Sequence, residues 1–243
     1  MEVNFYYIQK EGEKMKIKRI KIKDFILKGN MLNIKLNRRG LLVTGLNGAG
    51  KTILLNFINA LYTKDVSTLI QLPFSEAEVI LGNGEKFLVE KKLKYTSELF
   101  EKLSGTKVIF FEEDFKFQWL SQEKLKKLPN KIVEKYLAKT KKTLKGGETV
   151  FESSDGSFRR YDELSSGEAK IIRYLVASIV EKYDIIIMDL PENGISLNAQ
   201  SKIIDDLYIG ENFSQLIVST HAPYIFDDLK NQGIEILNLD NEN

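Results

Sequence analysis

Residues 17–27, Ile-Lys-Arg-Ile-Lys-Ile-Lys-Asp-Phe-Ile-Leu, alternate apolar and basic positions, the period of a strand with one buried face. Residues 31–36 and 40–44 supply two more strand candidates, and 53–61 changes to helical spacing. The runs 76–81 and 86–93 flank Gly82-Asn83-Gly84, residues that tolerate positive φ, which predicts a hairpin and an antiparallel β subdomain. Residues 107–111 form a short apolar run suited to a buried strand, and 121–144 reads as mostly helical. A second hairpin is predicted from 149–152 and 158–161 around Ser153-Ser154-Asp155-Gly156-Ser157. From Ser166 the pattern becomes helix 168–182, buried strand 184–188, helix 197–207 and strand 215–219. Such alternation builds a parallel sheet with helices on its faces. Residues 1–14, with Phe5-Tyr6-Tyr7, read as an extra strand or a leader before an internal start at Met15.

The chemistry begins where the third strand ends. Residues 45–52 read Gly-Leu-Asn-Gly-Ala-Gly-Lys-Thr, between a Leu-Leu-Val strand core and a helix. This is the setting of a phosphate-binding P-loop. Its glycines let backbone N–H groups turn inward around phosphate oxygens, and the helix presents its positive N-terminus. Asn47, Gly48, Ala49 and Gly50 are therefore candidate nucleotide-binding positions, Lys51 reaches the β- and γ-phosphates, and Thr52 is a Mg²⁺ ligand. A Gly-rich turn without a ligand is the competing reading.

Ile185-Ile186-Ile187-Met188-Asp189 is a buried strand ending in a carboxylate, about 135 residues later. Asp189 is a candidate Mg²⁺ holder beside Thr52, or else a helix-capping residue. Residues 215–221, Gln-Leu-Ile-Val-Ser-Thr-His, end another strand on the only histidine. His221 is read as a γ-phosphate sensor, against a purely structural histidine. Leu164-Ser165-Ser166-Gly167-Glu168 precedes a helix and is by itself a capping motif, although small residues there also make an anion site.

Composition narrows the class. With 43% hydrophobic and 29% charged residues the chain can bury a sizeable core under a solvated surface. No apolar run approaches the roughly 20 residues that span a bilayer, and no signal-peptide pattern opens the chain, so a cytoplasmic protein without membrane insertion is expected. The absence of cysteine excludes disulfides and thiolate chemistry, and a single histidine excludes multi-histidine metal clusters. Any metal is then a hard cation held by oxygen.

In order, 45–52, 164–168, 185–189 and Ser219-Thr220-His221 resemble the ATP-binding-cassette (ABC) P-loop ATPase superfamily, over nearly the whole chain. Ser165-Ser166-Gly167-Glu168, Pro191-Glu192-Asn193-Gly194 and Ser219-Thr220-His221-Ala222-Pro223 look more like its soluble RecF, SMC and OLD-type AAA ATPase branch than its transporters. The resemblance implies an α/β P-loop NTPase of one domain over 1–243, with a mainly parallel core sheet, an N-terminal antiparallel β subdomain and a helical, basic insertion at about 96–148. It further implies a homodimer sandwiching ATP and Mg²⁺, in which Ser165, Ser166 and Gly167 of one subunit face the γ-phosphate held by the other.

The chain departs from the family at three places. Leu190 stands where the family carries the water-polarising Glu after Asp189, which puts hydrolysis in question and leaves Glu192 as the nearby substitute base. No long heptad insertion is present, and only 22 residues follow His221, too few for the nuclease domain of OLD proteins. Gln71 and Gln118 are both candidates for the family's Q-loop residue.

The leading expectation is an ATPase, slow in hydrolysis, that controls a nucleic-acid process or an effector protein of DNA-repair or phage-defence type. Residues 124–145 hold nine lysines against one glutamate, Glu134, either a phosphate-neutralising stripe or a solvated helix face. The alternatives are a transporter's nucleotide-binding subunit and a non-hydrolysing ATP-binding scaffold.

Overall fold

The computed structural model describes residues 15–36, 39–91, 96–112, 120–137, 140–196, 199–200 and 215–241. Its first half runs β1 (Ile17–Lys23), β2 (Met31–Lys35), β3 (Gly40–Thr44), α1 (Lys51–Thr63), α2 (Val66–Gln71), β4 (Glu76–Leu81), β5 (Lys86–Glu90), α3 (Thr96–Lys102) and β6 (Val108–Phe111). There follow α4 (Gln122–Lys127), α5 (Asn130–Tyr136), β7 (Thr140–Lys145), β8 (Glu148–Ser153), β9 (Phe158–Arg159) and α6 (Ser166–Leu175). The last elements are β10 (Ile185–Asp189), β11 (Gln215–Ser219), α7 (Pro223–Asn231) and β12 (Glu235–Asn238).

The N-terminal alternation puts Ile17, Ile20 and Ile22 of β1 inside while Lys18 and Lys23 face solvent. That face completes an antiparallel sheet of order β2-β1-β4-β5. The strand ends four residues before the predicted 27, because Asp24 and Ile26 adopt positive φ (56° and 65°) and the Asp24 carboxylate accepts the Gly29 N–H at 2.6 Å.

The second sheet is parallel throughout, in the order β12-β3-β11-β10-β6. Its central strands β3, β11 and β10 are apolar runs because both faces are covered, whereas the edge strand β12 leaves Ile236 exposed. Leu41, Val43, Ile185, Ile187 and Ile217 pack with α1 and the antiparallel sheet. Leu42, Ile186, Met188, Leu216 and Val218 point the other way, toward α6 and α7. All five of these strands therefore run the same way, and the P-loop, Asp189 and the Ser219–His221 segment leave the sheet at one edge.

Several expectations are corrected. Residues 121–144 are not mostly helical: two short helices separated at Pro129 give way to β7, which pairs with β8 in a three-stranded β7-β8-β9 sheet. The span 96–148, expected as a helical, basic insertion, holds α3, α4 and α5 together with β7 and with β6, the strand expected at 107–111. Within it, β6 belongs to the parallel sheet, because its apolar residues register with Ile185–Met188 of β10. The helix expected over 168–182 is α-helical only to Leu175 and continues as a π-helical stretch, Val176–Glu181. Sequence reading missed α7 and β12 altogether. Residues 1–14, Gln118 and most of 197–207 lie outside the described residues.

Candidate functional site

Gly45, Gly48 and Gly50 take φ values of 139°, 84° and 96°, so the loop between β3 and α1 follows a path that L side chains resist. A Cβ at Gly50 would also lie 2.1 Å from Ile26 Cδ1. Asn47 and Gly48 are exposed, whereas Lys51 is 6% exposed and folds back, donating to the Gly45 and Leu46 carbonyls at 2.8 and 2.9 Å. Burial pushes the Lys51 pKa below its ordinary value, against the pull of Asp189, Asp240 and Glu192. A cation so enclosed by acceptors is set up to receive anionic oxygen.

Thr52, at the second position of α1, donates its hydroxyl to Asp189 Oδ2 at 2.6 Å. Asp189 is 2% exposed and also accepts from the Ser219 hydroxyl. Three elements thus meet at one carboxylate: the start of α1, the end of β10 and the end of β11. The strand pairing is the cause, since Asp189 and Ser219 are register partners on adjacent parallel strands.

Beyond Asp189 the chain turns sharply. Leu190 has φ 46°, and its N–H donates to the Ser219 carbonyl and hydroxyl at 3.2 and 3.1 Å. Leu190 is thus tied by its backbone, and the nearest carboxylate along the turn is Glu192. Glu192 Oε1 accepts the His221 and Ala222 N–H groups at 2.7 and 3.2 Å, holding the loop after β11. Among the described residues its Oε2 is enclosed without a hydrogen-bond partner, as is the Tyr174 hydroxyl, whose pKa burial and the Glu192 charge drive well above the ordinary value. His221 itself is exposed and lines an open depression of about 530 Å³ with Thr44, Gly45, Leu46, Asn47, Asn238 and Asp240.

The segment 164–168 closes on itself. Ser165 caps α6, and its hydroxyl and N–H both donate to Glu168 Oε2, at 2.8 and 2.9 Å, in a capping box. Arg159 grips the same carboxylate with two bonds of 2.9 and 3.0 Å. Burial works to raise the Glu168 pKa, but Arg159 and Ser165 hold it below the ordinary value. Ser165 and Ser166 are exposed, while a Cβ on Gly167 would sit 2.2 Å from the Gly194 carbonyl. Lys170 donates to the Asn193 carbonyl at 3.0 Å. The start of α6 is therefore pressed against the turn that carries Glu192.

The lysine segment does not present one helical face. Lys142 donates to the Leu125, Lys126 and Leu128 carbonyls at the end of α4, and burial lowers its pKa. Lys124 pairs with Glu181, which also holds Arg173 at 2.7 Å, and Lys145 lies 3.9 Å over the Phe158 ring. Gln71 ends α2 in an exposed position. The residues missed from sequence are Asn238 and Asp240. The alternating run Ile234-Glu235-Ile236-Leu237 after Gly233 carried the strand signal that places them.

Residues 93–227 match the family model described as "AAA domain, putative AbiEii toxin, Type IV TA system". The chain belongs to this AAA-domain family. The matched span contains 164–168, Asp189 and His221 but begins after the P-loop. No curated protein matches the chain. Among solved structures this AAA-domain chain is similar to an SmcHead bound to the C-winged helix domain of ScpA, at 10% identity over 87% of this chain and 92% of that one, TM-score 0.61. It is also similar to the SMC head domain from Thermotoga maritima (13% identity, 88% and 92% covered, TM-score 0.54). A third neighbour is the "Putative ABC transporter (ATP-binding protein)" from Pyrococcus furiosus (15% identity, 92% and 98% covered, TM-score 0.51). At such identities the likeness establishes the fold alone, one shared with SMC heads and with that ATP-binding protein. Among the described residues no helix is long and apolar enough to cross a membrane.

Proposed function

We propose that this protein is an ATP-operated switch that binds ATP–Mg²⁺ at 45–52, pairs with a second copy around the nucleotide and hydrolyses it slowly. The observation that carries the reading is the 2.6 Å bond between Thr52 and Asp189, which joins the P-loop helix to the end of β10 at a buried carboxylate. A hydroxyl and a carboxylate are hard oxygen donors that suit Mg²⁺ completed by phosphate oxygens. When bound, the ion neutralises charge on the β- and γ-phosphates. Lys51 exchanges its two carbonyl partners for phosphate oxygen, and the backbone N–H groups of 47–52 surround the remaining oxygens. Glu192 Oε2 is the proton acceptor nearest along the turn, and His221 faces the same mouth from β11. Ser165, Ser166 and Gly167 complete the site of the opposite subunit.

The output is a nucleic-acid process or an effector protein of repair or defence type. Support for a protein effector comes from a fold neighbour, the SmcHead carrying a domain of ScpA, and support for a defence setting from the family description. Isothermal titration with ATP–Mg²⁺ tests the core of the reading. Wild-type binding is expected, with loss on Lys51→Ala and Asp189→Ala; equal affinity in all three proteins refutes the site.

A further inference from the structure

The first turn of the P-loop is covered by a carboxylate from the far end of the chain. Asp240 follows β12, and both its oxygens accept the Leu46 N–H, at 2.9 and 3.1 Å. It is held there from behind: its own N–H donates to the Asn238 side chain at 3.1 Å, Leu239 is 2% exposed, and the Thr44 hydroxyl donates to the Leu237 carbonyl at 3.4 Å. A Cβ on Gly45 would come within 3.2 Å of Asp240 Oδ1, so the carboxylate lies directly against the loop. Asp240 forms one wall of the depression that His221 lines from another side. It lies outside the span 93–227 that marks the family.

This is a negative charge built into a loop whose chemistry is the capture of negative charge. A bound phosphate and Asp240 compete for the same positive field, that of Lys51 and the loop N–H groups. Repulsion from a fixed carboxylate grows with the charge on the ligand, so a triphosphate is opposed more than a diphosphate. We infer that Asp240 is a charge gate that sets how strongly this P-loop prefers nucleoside triphosphate over diphosphate. The inference rests on the nucleotide reading above and deepens it.

Two substitutions separate charge from hydrogen bonding. Asp240→Asn retains an acceptor for the Leu46 N–H and removes the charge; Asp240→Ala removes both. ATP and ADP are titrated, with Mg²⁺ in excess, into wild type and both variants at about 0.05 M and about 0.5 M salt, conditions that change the screening length severalfold. Asp240→Asn is expected to tighten ATP about fivefold and ADP about twofold at low salt, with the difference shrinking at high salt. Asp240→Ala is expected to follow it, since both lack the charge. Unchanged or weakened ATP binding by Asp240→Asn overturns the gate, and so does an equal gain for ATP and ADP. A loss in Asp240→Ala alone, with Asp240→Asn like wild type, reduces Asp240 to a cap on Leu46 and overturns it too. Wild-type protein that binds neither nucleotide overturns the nucleotide reading together with the gate, whereas binding that the variants leave untouched overturns the gate alone.

Discussion

The end of β10 and the start of α6 are both short polar motifs beside buried elements, yet their polar groups are satisfied in opposite ways. At Asp189 the partners converge from separate parts of the chain, Thr52 from α1 and Ser219 from β11. At the start of α6 they are local: Ser165 bonds Glu168 three residues on, and Arg159, nine residues before Glu168, grips the same carboxylate. A carboxylate buried at 2% exposure and surrounded by donors gathered from distant segments is costly to maintain without a purpose. A capping box is ordinary helix chemistry. Asp189 is thus held by groups of its own chain, whereas Ser165 and Ser166 are exposed, as the proposed pairing with a second copy requires.

Substitutions at Asp189 and Ser165 break this comparison most directly. Removing Lys51 or Asp189 deletes a charged partner and is expected to weaken ATP–Mg²⁺ binding about 10- to 100-fold, measured by calorimetry. If, as proposed, the start of α6 serves the other subunit, Ser165→Arg is expected to leave nucleotide affinity within about threefold while abolishing ATP-dependent dimers in sedimentation velocity. ATP-induced dimers of that variant would end the sandwich reading.

The turn between these two regions supplies the next tests. Gly167→Ala forces a methyl against the Gly194 carbonyl and is expected to cost about 1–3 kcal/mol, read as a lower unfolding midpoint. Glu192→Gln keeps an acceptor for the His221 and Ala222 N–H groups but cannot take a proton, so turnover should fall about 10²-fold with ATP affinity intact if Glu192 is the base. Glu192→Ala additionally frees the His221 loop. Leu190→Glu should raise turnover if an empty base position limits the rate. An ordinary ATPase rate that survives Glu192→Gln points to a base elsewhere.

The smallest effect is expected in the lysine segment. Lys124 and Lys142 have internal partners, so the test falls on the exposed Lys126 and Lys131. Neutralising both should weaken nucleic-acid binding uniformly and lower the salt slope by up to about 2 if they touch phosphates. Fluorescence anisotropy at two salt concentrations distinguishes this from a solvated surface, which predicts no change.

Much of the fold was legible because it is written in local periods. Alternation gave β1, the Gly82-Asn83-Gly84 turn gave the β4–β5 hairpin, and unbroken apolar runs gave β10 and β11. The stretch 121–144 misled because lysine-rich sequence with spaced apolar residues suits a helix locally, whereas pairing with β8 made its last part a strand. Strand β12 is short, and its place beside β3 follows from long-range pairing rather than from spacing.

The sequence by itself determined the motifs and their order: a Gly-rich loop with Lys51 and Thr52, a strand ending at Asp189, a capped helix at Ser165 and a strand leading to His221. Tertiary structure decided which of these groups meet. Parallel pairing of β10 with β11 brought Ser219 to Asp189, the packing of α1 added Thr52, and the return of β12 beside β3 laid Asp240 on the loop. The reason is physical: a residue's chemistry and local period are properties of a few neighbours, but convergence requires the free energy of a buried core to bring together segments 30, 137 and 194 residues apart.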